Sequence, residues 1–211
     1  MAILIGITAL QGDFAEHREK LRSLGHNTRE VRRVSDLKGL DALIIPGGES
    51  TANAIIEHTL TALRSDRREQ LGLFDAIKEK ALSGLPIWGT CMGSILLAKD
   101  IENSSQGRIG IMDITVRRNA FGPQKFSSEV ALDIPIVGEA SFPGIFIRAP
   151  LFTHAGAGVE VLCLYGDGFV MARQGHLLAT AFHPEITRDN RIHHFFVEQV
   201  VKQQVIKNPG S

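Results

Sequence analysis

The chain predicts an α/β fold: a mostly parallel central sheet flanked by helices, with an added antiparallel β layer, a flavodoxin-like three-layer arrangement. Three observations predict it. Short apolar runs alternate with amphipathic stretches through the first half, as expected of parallel strands covered on both faces. After about residue 108 the texture changes to short strand candidates separated by Gly and Pro turns. The 211 residues, 44% of them hydrophobic, suffice for one sizeable core. Residues 1–206 are therefore read as a single domain, and 207–211 as a frayed tail.

The elements follow in order. Ile3–Leu10 is a strand. Its opening, Met1-Ala2-Ile3-Leu4-Ile5-Gly6-Ile7, lacks a basic leader and a small-residue cleavage site, so it is read as strand and not as signal peptide. Asp13 caps a helix with Glu16 at the capping-box position, and Gly25 ends it. Thr28–Val31 and Ala42–Ile45 are the next strands. After Pro46-Gly47-Gly48-Glu49-Ser50 a helix begins near Thr51, and Arg64–Glu69 is a solvated charged turn. Leu73, Phe74, Ile77, Ala81 and Leu82 recur at helical spacing, and Gly84 closes that helix. Pro86–Ala98 reads as an apolar strand, a sharp corner of small residues and an apolar helix. Ile109–Arg117, Glu129–Leu132, Ile145–Ile147, Val159–Tyr165, Phe169–Arg173 and His176–Phe182 are strand candidates. Ile192, Phe195, Phe196, Val200 and Val201 form the core stripe of the last helix.

Composition narrows the function. Lys+Arg and Asp+Glu both number 23, so nothing suggests a nucleic-acid face or an anionic-membrane binder. No apolar stretch is long enough to span a bilayer. Two cysteines far apart in sequence suit a reduced, cytoplasmic protein better than a disulfide framework.

The chemistry begins at Cys91. The segment Trp88-Gly89-Thr90-Cys91-Met92-Gly93 places a thiol on a strand–corner–helix turn, at the unpaired N–H groups of a helix start. Glycines flank it where the corner must be tight, as in a nucleophile elbow. The Met92 N–H points where an oxyanion would form. Pro46-Gly47-Gly48-Glu49-Ser50 also follows a buried strand, and adjacent glycines let main-chain N–H groups approach a substrate. A plain turn capped by Ser50 is the alternative there. Phe182-His183-Pro184-Glu185 ends another strand, and an i, i+2 spacing on extended chain puts imidazole and carboxylate on one side. Cys91, His183 and Glu185 together read as a hydrolytic triad on one sheet edge.

In these segments the chain resembles the class I, triad-type glutamine amidotransferases, and most closely the glutaminase subunits of pyridoxal 5′-phosphate synthase. The resemblance rests on Gly6–Phe14, on Leu43–Thr51 with its Pro-Gly-Gly-Glu-Ser-Thr run, and on Trp88–Cys91. Downstream it rests on Arg118-Asn119-Ala120-Phe121-Gly122, Phe146-Ile147-Arg148-Ala149-Pro150 and Ala181–Glu185. It implies Cys91 as nucleophile, His183 as general base and acid, and Glu185 as its orienter. Gly48 and Met92 would supply the oxyanion N–H groups, and Gly47, Gly48, Glu49, Ser50, Arg118, Ile147 and Arg148 would bind L-glutamine. It implies no metal and no bound cofactor, and as partner a barrel-shaped synthase subunit that receives the ammonia. Such subunits are poor glutaminases until the partner docks and rearranges the oxyanion loop. A subunit serving another acceptor, as in histidine biosynthesis, and a non-catalytic partner of the same fold are the competing readings.

Some positions depart from the family pattern: Met92 and Ser94 after the nucleophile, Pro123 after Phe-Gly, and Ala52-Asn53. Without the resemblance, Arg118 would be a solvated strand residue beside Arg117, and Arg148 part of a surface turn. Cys163 reads as a buried strand residue and Trp88 as packing near the site. His17, His26, His58, His154, His176, His193 and His194 share no metal-ligand spacing, and His193-His194 are expected to decorate the last helix.

Overall fold

Runs such as Leu4-Ile5-Gly6-Ile7-Thr8 and Ala42-Leu43-Ile44-Ile45 have apolar residues at consecutive positions, which only a strand covered on both faces can bury. A computed structural model describes residues 2–10, 12–48, 68–120 and 128–207 of the chain. In it these runs are β1 (Leu4–Thr8) and β3 (Ala42–Ile45), with β2 (Asn27–Val31) outside them at the edge. Ile87–Thr90 is β4, again buried throughout. The remaining strands are β5 (Ala98–Ile101), β6 (Met112–Arg117), β7 (Ser128–Leu132), β8 (Phe142–Phe146), β9 (Leu151–Ala155), β10 (Glu160–Tyr165), β11 (Gly168–Gln174) and β12 (Leu177–Thr180).

The large sheet runs β2-β1-β3-β4-β12-β11-β9-β6-β5, with β10 paired to β11. From β2 to β12 every pairing is parallel. β12 is the turning point: parallel to β4, it is antiparallel to β11. The antiparallel strands thus continue the parallel sheet, and only the β7–β8 ribbon forms a sheet apart. β5 and β9 go beyond the sequence expectations: the apolar helix predicted after Cys91 runs to Ala98 with no element assigned to Lys99–Ile101, and Leu151 follows Pro150, beside the surface turn offered as the alternative for Arg148.

Helix ends behave as their glycines dictate. Helix α1 (Phe14–Ser23) closes with Gly25 at φ +82, Gly25 N–H on Arg22 O and His26 N–H on Leu21 O, the paired bonds of a Schellman end. Helix α2 (Arg68–Leu82) closes the same way at Gly84, with Leu85 N–H on Lys80 O. Its Leu73, Ile77 and Ala81 are buried, but Leu82 is 76% exposed and does not belong to the stripe. The start of α1 corrects the sequence reading: Asp13 stands at the N-cap but makes no capping bond. The helix beginning near Thr51 and residues 64–67 of the charged turn lie outside the described residues, whereas Arg68 and Glu69, expected in that turn, already belong to α2. Residues 208–211 of the tail also lie outside them, and Lys207 ends the last helix.

That last helical segment runs from α4 (Arg191–Phe195) through a π-helical stretch, Phe196–Val201, into α5 (Lys202–Lys207). Ile192, Phe195, Phe196, Val200 and Val201 are all buried, as their spacing predicts. They cover Trp88, which is fully buried 5.3 Å from the Phe196 ring and donates from Nε1 to Thr180 Oγ1 at 3.1 Å. Truncating such a residue to Ala typically costs about 3–5 kcal/mol. Phe142 and Phe146 of β8 both pack on Phe182 at 5.8 Å, and Arg191 ties Asp189 to the Ala140 and Ser141 carbonyls. The ribbon is thereby fastened beside the end of β12. Among the described residues no helix is long and apolar enough to cross a membrane.

Candidate active site

Three neighbouring parallel strands, β3, β4 and β12, end at the same edge, with Ile45 paired to Gly89 and Thr180 to Thr90. Ligands of open α/β sheets bind at such carboxyl ends. Cys91 follows β4 directly. Its backbone is at φ 47, ψ −106, a conformation that costs of order 1–3 kcal/mol for a side-chain-bearing residue. The surroundings impose it. Cys91 N–H bonds Thr180 O at 2.8 Å, and Ser94 Oγ donates to Cys91 O at 2.6 Å. The flanking glycines are sterically required: a Cβ on Gly89 would stand 2.6 Å from Gly93, and one on Gly93 would overlap the Ile45 carbonyl oxygen. Helix α3 (Met92–Leu97) starts immediately, so the Met92 N–H has no partner within it.

His183 and Glu185 come together, though not on extended chain. The backbone beyond β12 turns, with Ile186 N–H reaching back to His183 O at 3.4 Å, and His183 N–H donates to Ile145 O of β8 at 2.8 Å. Within the turn His183 Nδ1 lies 2.8 Å from Glu185 Oε1, the pair buried. The same imidazole sits beside Cys91: both line the point where a Gly47 Cβ would stand, 2.5 Å from His183 Cε1 and 2.9 Å from the Cys91 Cβ. Since Nδ1 faces the carboxylates, Nε2 is the nitrogen left for sulfur. Cys91 Sγ also lies 3.8 Å from Ile147 O.

Asp13 is part of this group. In place of capping α1, its Oδ2 stands 3.3 Å from His183 Nδ1. Burial disfavours a charged His183, but hydrogen bonds to Asp13, Cys91 and Glu185 outweigh it and hold the imidazole well above its ordinary range. The His183 bond in turn holds Asp13 below the usual carboxylate range. The site is thus built around an imidazolium. Asp13, His183 and Glu185 also form the one grouping among the described residues with metal-ligand proximity, but an Nδ1 shared between two carboxylates carries a proton and offers no lone pair.

Gly47 explains itself physically. A Cβ there would fall 2.5 Å from His183 Cε1 and 2.9 Å from the Cys91 Cβ. Its N–H donates to Thr90 Oγ1 at 2.9 Å and its carbonyl accepts from Asp13 N–H at 3.4 Å. The Gly47 N–H is thus taken by Thr90, while the Met92 N–H directly follows the thiol at the open start of α3. Arg118 directly follows β6, and its Nη1 donates to Gln106 Oε1 at 3.2 Å. Ile147 is at the site through its carbonyl, while Arg148 is exposed with φ 47. Glu49, Ser50, Ala52-Asn53 and Pro123 lie outside the described residues.

Two residues escaped the sequence reading. His17 is fully buried behind Glu185, and His193, expected on the surface, is fully buried against it and against Trp88, whose ring is 4.8 Å away. Their helical spacing carried the signal. His17 is four residues before buried Leu21, and His193 lies within the stripe of Ile192, Phe196 and Val200.

A thiol, an imidazolium and a carboxylate grouped at the carboxyl edge of a parallel sheet are the parts of a cysteine-dependent, acyl-transferring hydrolase. The chain belongs to the SNO glutamine amidotransferase family, whose model matches residues 7–202. The pyridoxal 5′-phosphate synthase subunit PdxT of Pelotomaculum thermopropionicum is 48% identical over 198 residues, 94% of this chain and 95% of the relative. The protein of the same name from Carboxydothermus hydrogenoformans is 50% identical over 198 residues, 94% of this chain and 98% of the relative. A solved structure described as "Crystal structure of glutamine amidotransferase" matches with TM-score 0.78 at 45% identity, covering 92% of this chain and 97% of that one.

Proposed function

We propose that this chain is the glutaminase subunit of a pyridoxal 5′-phosphate synthase. It hydrolyses L-glutamine to L-glutamate and ammonia and passes the ammonia to a barrel synthase subunit. One observation carries the reading: an imidazole beside Cys91 and 2.8 Å from Glu185 Oε1, in a chain about half identical to proteins named for that synthase. A single domain, residues 1–206, working in the cytoplasm, is the form proposed.

In this mechanism the Cys91 sulfur attacks the side-chain amide carbon of glutamine. The tetrahedral oxyanion is met by the N–H groups of Met92 and Gly48, each worth about 3 kcal/mol in the transition state. The imidazolium of His183 gives its proton to the departing nitrogen, ammonia leaves, and a glutamyl thioester remains on Cys91. Neutral His183 then takes a proton from water, whose oxygen attacks the thioester carbonyl. Collapse releases glutamate and restores the sulfur–imidazolium pair. Glu185 keeps the imidazole turned toward sulfur throughout. Glu49, Ser50, Arg118, Ile147 and Arg148 are proposed to bind the rest of the glutamine, an arginine forking its α-carboxylate.

The test is glutamine hydrolysis measured with and without the matching synthase, using amide-labelled glutamine. Turnover rising when the synthase is added, with label entering pyridoxal phosphate, is expected. A stable complex without turnover would make the chain a non-catalytic partner, and label passing only to another acceptor would reassign the subunit.

A further inference from the structure

The mechanism leaves the fully buried His17 without a task. His17, on α1, has its Nε2 3.4 Å from Glu185 Oε2 and 3.4 Å from Thr90 Oγ1, with its Nδ1 2.9 Å from His193 Nε2. Thr90 Oγ1 in turn accepts the Gly47 N–H. We propose that His17 is a positioning residue for this reaction, holding the second oxygen of Glu185 and, through Thr90, the Gly47 peptide in one register. The inference rests on the glutaminase reading above and extends it.

Proton accounting fixes the direction of each bond. An ionised Glu185 only accepts. Of the two imidazoles in the His17–His193 pair one donates and the other accepts. Were the His17 proton on Nδ1, its Nε2 lone pair would face the carboxylate, and His193 would bury an Nδ1–H with nothing to receive it. His193 Nδ1 has no partner among the described residues, and an orphaned acceptor is the less costly vacancy. The proton therefore sits on His17 Nε2, hydrogen-bonded to Thr90 Oγ1 with Glu185 Oε2 equally near at 3.4 Å, and His193 Nε2–H locks that tautomer. Glu185 Oε2 makes no hydrogen bond among the described residues, and the electrostatic pull of the His17 Nε2–H 3.4 Å away is what keeps the carboxylate from rotating away from His183. The 3.4 Å separation is of the loose kind that catalytic contacts show before substrate arrives. Burial, the dominant influence, keeps His17 neutral, and the groups around it are Glu185 and His183 from the turn after β12, Asp13 and Lys20 from its own end of the chain, and His193 from α4.

The experiment compares His17→Leu, which removes the N–H, with His17→Gln, whose amide can restore one at the same reach, and His17→Asn, whose shorter amide cannot. Glutaminase kcat and KM are measured in the assembled complex, and the pH profile of Cys91 alkylation by iodoacetamide in the isolated subunit. We expect His17→Leu to lose ~10- to 100-fold in kcat with KM unchanged and its alkylation profile displaced, and His17→Gln to recover most of both. Should His17→Leu fail to fold, the Gln–Asn contrast decides alone. Wild-type kcat and alkylation in His17→Leu, or Gln and Asn variants that fold and behave alike, would overturn the positioning role. Absence of turnover in the wild-type complex would overturn the glutaminase reading itself, a separate result, and turnover persisting in Cys91→Ala would overturn the nucleophile assignment alone.

Discussion

The end of β4 and the middle of β10 each hold a buried, unpaired cysteine, and nothing else about them is alike. Cys91 is 6% exposed and Cys163 2%, so burial does not separate them. Cys163 lies within a strand, pointing at the Leu164 carbonyl, and burial pushes its thiol up to about 11. Cys91 lies one residue past a strand, at positive φ, against an imidazole bonded to two carboxylates. Reactivity at a protein sulfur comes from where the strand stops and what the next strands deliver there.

The strongest way to break this contrast is to exchange the roles. Cys91→Ala should lower glutamine hydrolysis by ~10⁴-fold or more, the scale of losing a catalytic nucleophile, while Cys163→Ala stays within about twofold of wild type in the same assay. Comparable losses from both would abolish the distinction. Next, iodoacetamide at neutral pH followed by peptide mass mapping should label Cys91 at least ~100-fold faster than Cys163, because thiolate is the reacting form. Gly47→Ala inserts a methyl between Cys91 and His183 and should lower kcat ~100-fold, whereas Gly166→Ala, in the open turn after β10 at φ +57, should leave kcat alone and cost about 1 kcal/mol in urea unfolding.

The smallest effect is electrostatic. His17 and His193 are held below the ordinary 6.5 chiefly by burial, so the unfolded chain binds more protons and stability falls as pH drops below 6.5, by up to ~1.4 kcal/mol per pH unit for each histidine. His183 is raised instead, so its contribution is complete below 6.5 and is lost as pH climbs through its folded value. Urea midpoints across pH 5–9 should therefore peak near neutrality. Cys163→Ala should preserve the shape of that curve, and a flat curve in wild type would refute the assignment of both protonation states.

How far the primary structure reveals all this depends on the range of the interaction. Strands β1, β3 and β4 are legible because double-sided burial demands unbroken apolar runs, and the Cys91 corner because Gly89 and Gly93 have no room for a Cβ. Asp13 misleads because a helix N-cap and a partner for His183 call for the same residue at the same place, and only the distant turn after β12 decides between them. His193 misleads because a histidine beside His194 looks solvated until Trp88 and His17 are placed against it. β5 is concealed by Lys99 and Asp100, which pair outward with Asp113 and Arg108, and β9 by the proline before it.

The position of β12 in the sheet has a consequence for biosynthesis. Trp88 bonds Thr180 across 92 positions of sequence, and at ~5–20 residues per second the ribosome needs roughly 5–20 s to deliver the second after the first. During that interval β4 is an unprotected border of a half-built sheet, the kind of border that recruits stray strands. The nascent thiol meanwhile has no proton acceptor within reach. On the proposed mechanism, ammonia release is therefore reserved for a chain translated at least through Glu185, and glutamine turnover doubles as a measure of folding of that sheet.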